Sequence, residues 1–187
     1  MQTTATLKNG LEVTVRSIRA DDRERLVRAF HSLNRETVYT RFFRYVSELS
    51  EDDLNRAVET DPDRQVALVV TTGSGEGEAI VGGGRYILAP GHDAERVAEI
   101  AFTVEEDYQG LGIAGLVLRE LIEIARGFGI ARFVADVLPA NGAMLRVFAR
   151  SGLPMRQQRE DGVIHVELSL SGKATANEAP PGARPTS

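Results

Sequence analysis

Gln109-Gly110-Leu111-Gly112-Ile113-Ala114 separates a strand-like stretch from the densest apolar helical pattern in the chain. Residues 96–104 before it carry strand character. Residues 111–128 after it predict a helix that closes at Gly129. A helix start preceded by glycines gathers free N–H groups at the positive end of the helix dipole, which makes it an anion site. At Gly110, Gly112 and Gly115 no Cβ stands between the backbone and an approaching phosphate. The stretch therefore reads as a phosphate-binding loop; the plainer alternative is glycine required only for a turn. The same glycines spell G-x-G-x-x-G, and Asp136 falls about where a dinucleotide-binding fold places its ribose carboxylate. Two features count against that alternative. In the dinucleotide fingerprint the first glycine follows directly on a strand, whereas residues 105–109 intervene here. Too little chain also follows Leu138 to complete a doubly wound sheet.

Outward from the loop, the two halves of the chain differ in character. Upstream, residues 11–18 alternate with period two and predict a strand, and Asp21 or Asp22 is placed to cap a helix through Leu26, Val27, Phe30 and Leu33. Asn34 begins a second helix through Val38, Phe42 and Phe43. Ser50 begins a third, ended at Asp61-Pro62. Residues 66–71 and 79–88 predict a hairpin about Gly73-Ser74-Gly75-Glu76-Gly77, with Gly82-Gly83-Gly84 as a bulge or close approach. A turn at Pro90-Gly91-His92-Asp93 leads into the strand at 96–104. Downstream, 132–138 predicts a strand, 141–151 a helix and 163–170 a last strand. The fold class is α/β, a mixed sheet with helices on it. Residues 1–171 form one expected domain. Residues 172–187 lack Leu, Ile, Val and Phe, carry three prolines and read as a disordered tail.

Composition narrows the chemistry. The chain has 187 residues, 42% hydrophobic and 26% charged, with a formal net charge of -5, which points away from nucleic acid and anionic membrane as partners. There is no cysteine, so disulfides, thiolate metal sites and a thioester acyl-enzyme are excluded. His31, His92 and His165 lie far apart without ligand spacing, and no metal is expected. No segment reads as a membrane span or export signal, so cytoplasmic residence is the expectation. Lys8 and Lys173 are the only lysines. Compositional bias explains this most simply; avoidance of self-modification by a lysine-modifying enzyme is the alternative.

Two motifs together resemble the GNAT superfamily of acetyltransferases. Residues 109–114 match its Q/R-x-x-G-x-G/A loop. Asn141 through Met144, Val147, Phe148, Gly152 and Leu153 match its later asparagine-helix-glycine-aromatic segment in order and spacing. The resemblance covers about residues 13–170. It implies a mixed, mostly antiparallel sheet whose central strands splay apart, with acetyl-CoA as co-substrate entering the gap. By that resemblance, the main chain of Phe102, Thr103 and Val104 holds the pantetheine arm and thioester. The N–H groups of Gln109, Gly110, Leu111, Gly112, Ile113, Ala114 and Gly115 hold the pyrophosphate, and Asn141 contacts the CoA arm. Family members often carry a tyrosine at the position of Phe148, able to protonate the leaving thiolate. Phenylalanine cannot.

Val97-Ala98-Glu99-Ile100-Ala101-Phe102-Thr103-Val104 and Tyr39-Thr40-Arg41-Phe42-Phe43 further resemble the bacterial Pat-type protein lysine acetyltransferases. There a strand glutamate is the general base, which assigns that role to Glu99. Alternation places Glu99, Ala101 and Thr103 on one face, opposite Ile100, Phe102 and Val104. A lysine amine with a reference pKa of about 10.4 is mostly protonated at neutral pH, so transfer requires a base. Glu99 as a merely solvated strand residue is the alternative, with Glu105 and Glu106 as fallback bases. Tyr39, Phe42 and Phe43 either wall the acceptor cleft or pack in the core. Three functions follow: acetylation of a protein lysine, with an acyl-CoA synthetase as one candidate acceptor; acetylation of a small amine; or non-catalytic CoA binding.

Overall fold

The computed structural model describes residues 2–42, 46–59, 61, 63–89 and 95–171. The expectations placed on Phe43, on the turn at residues 90–93 with His92, and on the tail at residues 172–187 lie outside these. Among the described residues eight strands form one sheet: β1 (Gln2–Thr6), β2 (Glu12–Ser17), β3 (Gln65–Thr72), β4 (Ala79–Leu88), β5 (Val97–Val104), β6 (Arg132–Val137), β7 (Met155–Glu160) and β8 (Val163–Ser169). Their order is β1-β2-β3-β4-β5-β6-β8-β7, antiparallel everywhere except between β5 and β6. Among the described residues five α-helices accompany them: α1 (Arg23–Ser32), α2 (Arg35–Phe42), α3 (Glu51–Val58), α4 (Ile113–Gly127) and α5 (Gly142–Ala149).

The parallel pair positions the site. A parallel neighbour needs a long crossover, and α4 supplies it between β5 and β6. Pairing is confined to Val97 with Arg132, Ala98 with Phe133 and Glu99 with Val134. Beyond Glu99 the two strands part, while β5 stays paired with β4 as far as Val104. This is the splay the fold class implied.

Alternation along β3 divides the core between the two faces. Leu68 and Val70 join the large cluster containing Val117, Leu121 and Phe148, whereas Ala67 and Val69 pack with Ile18, Leu26 of α1 and Val58 of α3. The glycines of β4 allow α4 to sit close. A Cβ on Gly84 would stand 2.7 Å from Cδ1 of Phe102 and 2.9 Å from Cγ1 of Val117, so a side chain there would separate helix from sheet. The strand also carries an irregularity where Val70 pairs Gly82 and Thr71 pairs Ile80, leaving Val81 as the extra residue.

Three expectations change. β1 and β7 had no signal: both are polar edge strands, exposed along nearly their whole length, so neither shows an apolar alternation. Helix α4 begins at Ile113 rather than Leu111, because Gly112 takes the left-handed conformation (φ 107°) at its N-cap. Asp22 is not a side-chain cap of α1. Its carboxylate is wholly buried and receives Nη1 and Nη2 of Arg16 at 2.6 and 2.7 Å, with the N–H of Arg19 at 2.8 Å. Burial opposes the charge on Asp22, but the Arg16 and Arg19 hydrogen bonds and the nearby guanidinium charges outweigh it and hold its carboxyl below the usual range. The other caps are as read: Ser50 Oγ accepts from Asp53 N–H at 3.1 Å, and Asn34 Oδ1 from Thr37 N–H at 2.8 Å.

Candidate active site

A groove of about 1360 Å³ runs from the parted strands to the start of α4 and along α5. That exceeds the roughly 300–1,000 Å³ of ordinary small-molecule sites and suits an extended ligand. Of the residues singled out in the sequence, Phe102, Thr103, Val104, Gln109, Gly110, Gly112, Ile113, Ala114, Gly115 and Asn141 line it. Leu111 does not; its carbonyl is turned to the N–H of Lys8, 3.3 Å away.

The loop supplies donors. None of the N–H groups from Gly110 to Gly115 has an acceptor among the described residues. Six donors unsatisfied by protein at the mouth of a groove are what a polyanion needs. Gly110 (φ 73°) and Gly112 (φ 107°) are glycines for backbone reasons. Gly115 is different. It lies inside the first turn of α4 with no positive φ, and nothing comes within 4 Å of where its Cβ would be. Glycine inside a helix costs about 1 kcal/mol against alanine, and neither strain nor protein packing explains it here. The open space over the turn leaves room for a ligand to pass.

Gln109 braces the loop. Its Nε2 donates to the Val104 carbonyl at 3.1 Å and to Thr37 Oγ1 at 3.3 Å, tying the loop to the end of β5 and to α2. Asn141 caps α5 by accepting the Met144 N–H at 3.1 Å. Phe148 is buried with its ring 6.0 Å from that of Phe102, inclined edge to face, so it packs behind Phe102, which lines the groove, and is not itself part of the groove wall.

Glu99 is exposed and sits outside the groove walls, at the last paired position of β5 and on the sheet face opposite α4. Alternation placed that face correctly. Two arginines that the sequence reading did not assign feel its charge. Burial, then the charge of Arg85, lowers Arg41 to about 10, with Glu99 opposing. Burial likewise lowers Arg85, and Glu99 again opposes. Glu105 and Glu106 are absent from the groove walls: burial followed by Asp107 and Glu106 pushes the Glu105 carboxyl up, and Glu106 Oε1 accepts the Asn34 N–H at 3.1 Å. Asp136 is not beside the loop. It pairs across β6 and β8 with His165, Oδ1 to Nδ1 at 2.5 Å, so the dinucleotide arrangement is not formed. Among the described residues no group of His, Cys, Asp or Glu is placed to hold a metal, and no helix is long and apolar enough to cross a membrane.

A mixed sheet parting between two parallel strands, with a glycine loop and helix start at the mouth of the gap, defines a CoA-dependent acyltransferase fold. Comparison with known proteins agrees. The profile of the acetyltransferase (GNAT) family matches residues 27–153. The chain is 32% identical over 164 residues to an acetyltransferase of Pseudomonas aeruginosa, covering 85% of each. It is 33% identical over 157 residues to acetyltransferase Pat of Mycolicibacterium smegmatis, covering 83% of this chain and 45% of that one. Among solved structures, the GNAT domain of S. lividans PAT superposes with a TM-score of 0.80 at 34% identity, over 90% of this chain and 96% of that one. The chain belongs to the GNAT acetyltransferase family, and acetyl-CoA is its acyl donor.

Ligand linkage offers a direct check. Acetyl-CoA at about 100 times its Kd should stabilise the protein by about 2.7 kcal/mol, a rise in melting temperature of roughly 5–10 °C. NAD and FAD at the same concentration should leave it unchanged. Stabilisation by a dinucleotide without stabilisation by CoA would overturn the site.

Proposed function

We propose that the protein transfers an acetyl group from acetyl-CoA to the side chain of a protein lysine, with Glu99 as general base. The placement of Glu99 carries the reading: it is the last residue of β5 paired to β6 and faces solvent where the strands part. The likeness to Pat of M. smegmatis and to the GNAT domain of S. lividans PAT supports the acceptor class. An acyl-CoA synthetase is one acceptor of this kind.

In this reading the main chain of Phe102, Thr103 and Val104 receives the pantetheine arm, the donors from Gln109 to Gly115 take the pyrophosphate, and Asn141 borders the arm. The lysine nitrogen attacks the thioester carbonyl carbon, the C–S bond breaks, and Glu99 takes the proton from nitrogen directly or through one water. Arg41 and Arg85 assist by disfavouring a third cation beside Glu99, which holds the acceptor amine toward its neutral, nucleophilic form. Phe148 cannot protonate the leaving sulfur. Thiolate departs as such or takes its proton from water.

A small amine carrying an acidic group is the second reading, favoured by the same two guanidinium groups. Steady-state kinetics with acetyl-CoA separate the readings. A folded protein bearing accessible lysines should be acetylated with kcat/KM well above those of spermidine, free amino acids and aminoglycosides. The reverse ranking would move the small-amine reading to first place.

The loop assignment has its own test, and Gly115 suits it better than Gly112, whose left-handed φ would strain any side chain. Gly115→Leu places a good helix former in open space, so the ligand-free protein should melt at the same temperature or slightly higher. Affinity for CoA by calorimetry should fall at least tenfold, about 1.4 kcal/mol. Unchanged affinity would remove the loop from the cofactor site.

A further inference from the structure

Lys8 stands at the bend between β1 and β2, a hairpin formed by a strand with no apolar signal, and the fold carries it to the glycine loop more than a hundred residues away. Its Nζ donates to the Gly110 carbonyl at 3.2 Å, its backbone N–H donates to the Leu111 carbonyl at 3.3 Å, and the side chain is exposed in the wall of the groove. Gly10 at φ 85° closes the hairpin, and Leu7 N–H to Leu11 carbonyl (2.8 Å) holds its neck. The hairpin is thus fastened to the loop at two successive carbonyls.

We propose that Lys8 belongs to the diphosphate site: its backbone orients the loop, and its ammonium is the loop's cationic partner for the phosphates of CoA. The inference rests on the loop being the diphosphate site. The peptide unit is planar and trans, so a carbonyl held toward Lys8 turns the N–H of the same unit the opposite way. Fixing the carbonyls of Gly110 and Leu111 therefore orients the N–H groups of Leu111 and Gly112, two of the six free donors. Those donors bring only partial charges, whereas a diphosphate carries two negative charges. Of the other cationic residues of the groove wall, Arg119 and Arg126 come from later in α4, Arg146 from α5 and Arg150 from the cap just after it. Arg41 comes from α2. Lys8 hydrogen-bonds the loop itself, and its flexible stem lets the ammonium swing from the Gly110 carbonyl onto a phosphate oxygen.

The test compares Lys8→Arg and Lys8→Gln with the parent by calorimetric titration with CoA at several salt concentrations. Arginine keeps the charge; glutamine keeps a donor for the Gly110 carbonyl and removes the charge. Lys8→Gln should weaken CoA binding roughly tenfold at low salt, the worth of one charge-assisted hydrogen bond at a partly open site. It should also flatten the salt dependence. Lys8→Arg should stay within a few-fold of the parent. Kinetics with S-acetyl-pantetheine, which lacks phosphates, should be alike in all three proteins. Equal CoA affinity of Lys8→Gln and parent overturns the proposal. So does an equal loss with S-acetyl-pantetheine, since that would be general damage to the site. Gly115→Leu is the reference: if it too leaves CoA affinity intact, the loop assignment has failed, whereas a loss there with none at Lys8→Gln condemns the Lys8 proposal alone.

Discussion

Glu99→Gln should leave acetyl-CoA affinity within a few-fold of the parent while turnover at neutral pH falls by roughly 10²–10⁴, the usual worth of a positioned general base. The substitution keeps shape and hydrogen bonding and removes basicity. Binding should survive because Glu99 lies outside the walls of the groove proposed to receive CoA. The loss should shrink as pH rises, because an acceptor amine that arrives deprotonated needs no base. A residue that only orients the acceptor would lose the same factor at every pH. Rate profiles from about pH 6 to pH 10, approaching the reference pKa of the amine, distinguish the two. Equal turnover of variant and parent at neutral pH would make Glu99 a solvated strand residue. Glu105, whose carboxyl is pushed up by burial and its acidic neighbours, would then be the next to test.

The second large effect is on stability. Asp22→Ala should cost about 3–5 kcal/mol, because it leaves Arg16, only 2% exposed, as a buried cation whose strongest partner is gone. Glu78 Oε1 at 3.1 Å from Nη2 remains and makes up part of the loss. For a domain of this size the melting temperature should drop by about 10 °C. The pH dependence has a definite sign. The folded-state pKa of Asp22 is depressed, so its contribution is fully present above the unfolded value near 3.9 and is lost as pH falls through the folded value. The parent should therefore lose more stability on acidification than Asp22→Ala does. A variant that melts with the parent would show that water replaces the carboxylate at no cost.

What the sequence made legible divides along physical lines. Glycine spacing encodes backbone conformation, so Gly110 and Gly112 announced the loop, and both are left-handed. Alternation encodes sides of a sheet, so Glu99 was placed opposite Ile100, and one is exposed while the other is buried. Neither signal encodes which strands pair, and the parting of β5 from β6 was anticipated from family resemblance alone. Edge strands were invisible because each of β1 and β7 has one neighbour and little to bury. Asp22 was misread as a cap because an aspartate ahead of a helix looks the same whether it turns to the helix or to an arginine six residues back. Lys8 gave no signal as a loop neighbour, since its partner Gly110 is brought near only by the completed sheet.

The central claim is direct transfer of acetyl from CoA to a lysine side chain in a folded protein, and tandem mass spectrometry tests it most directly. Bacterial cytosolic protein, freed of small molecules, is incubated with the enzyme and acetyl-CoA bearing a deuterated acetyl group. Labelled N-acetyl-lysine should accumulate at discrete positions with the parent and be reduced to background with Glu99→Gln at neutral pH. Absence of labelled lysine, from a preparation that still acetylates spermidine or an amino acid, would contradict the account.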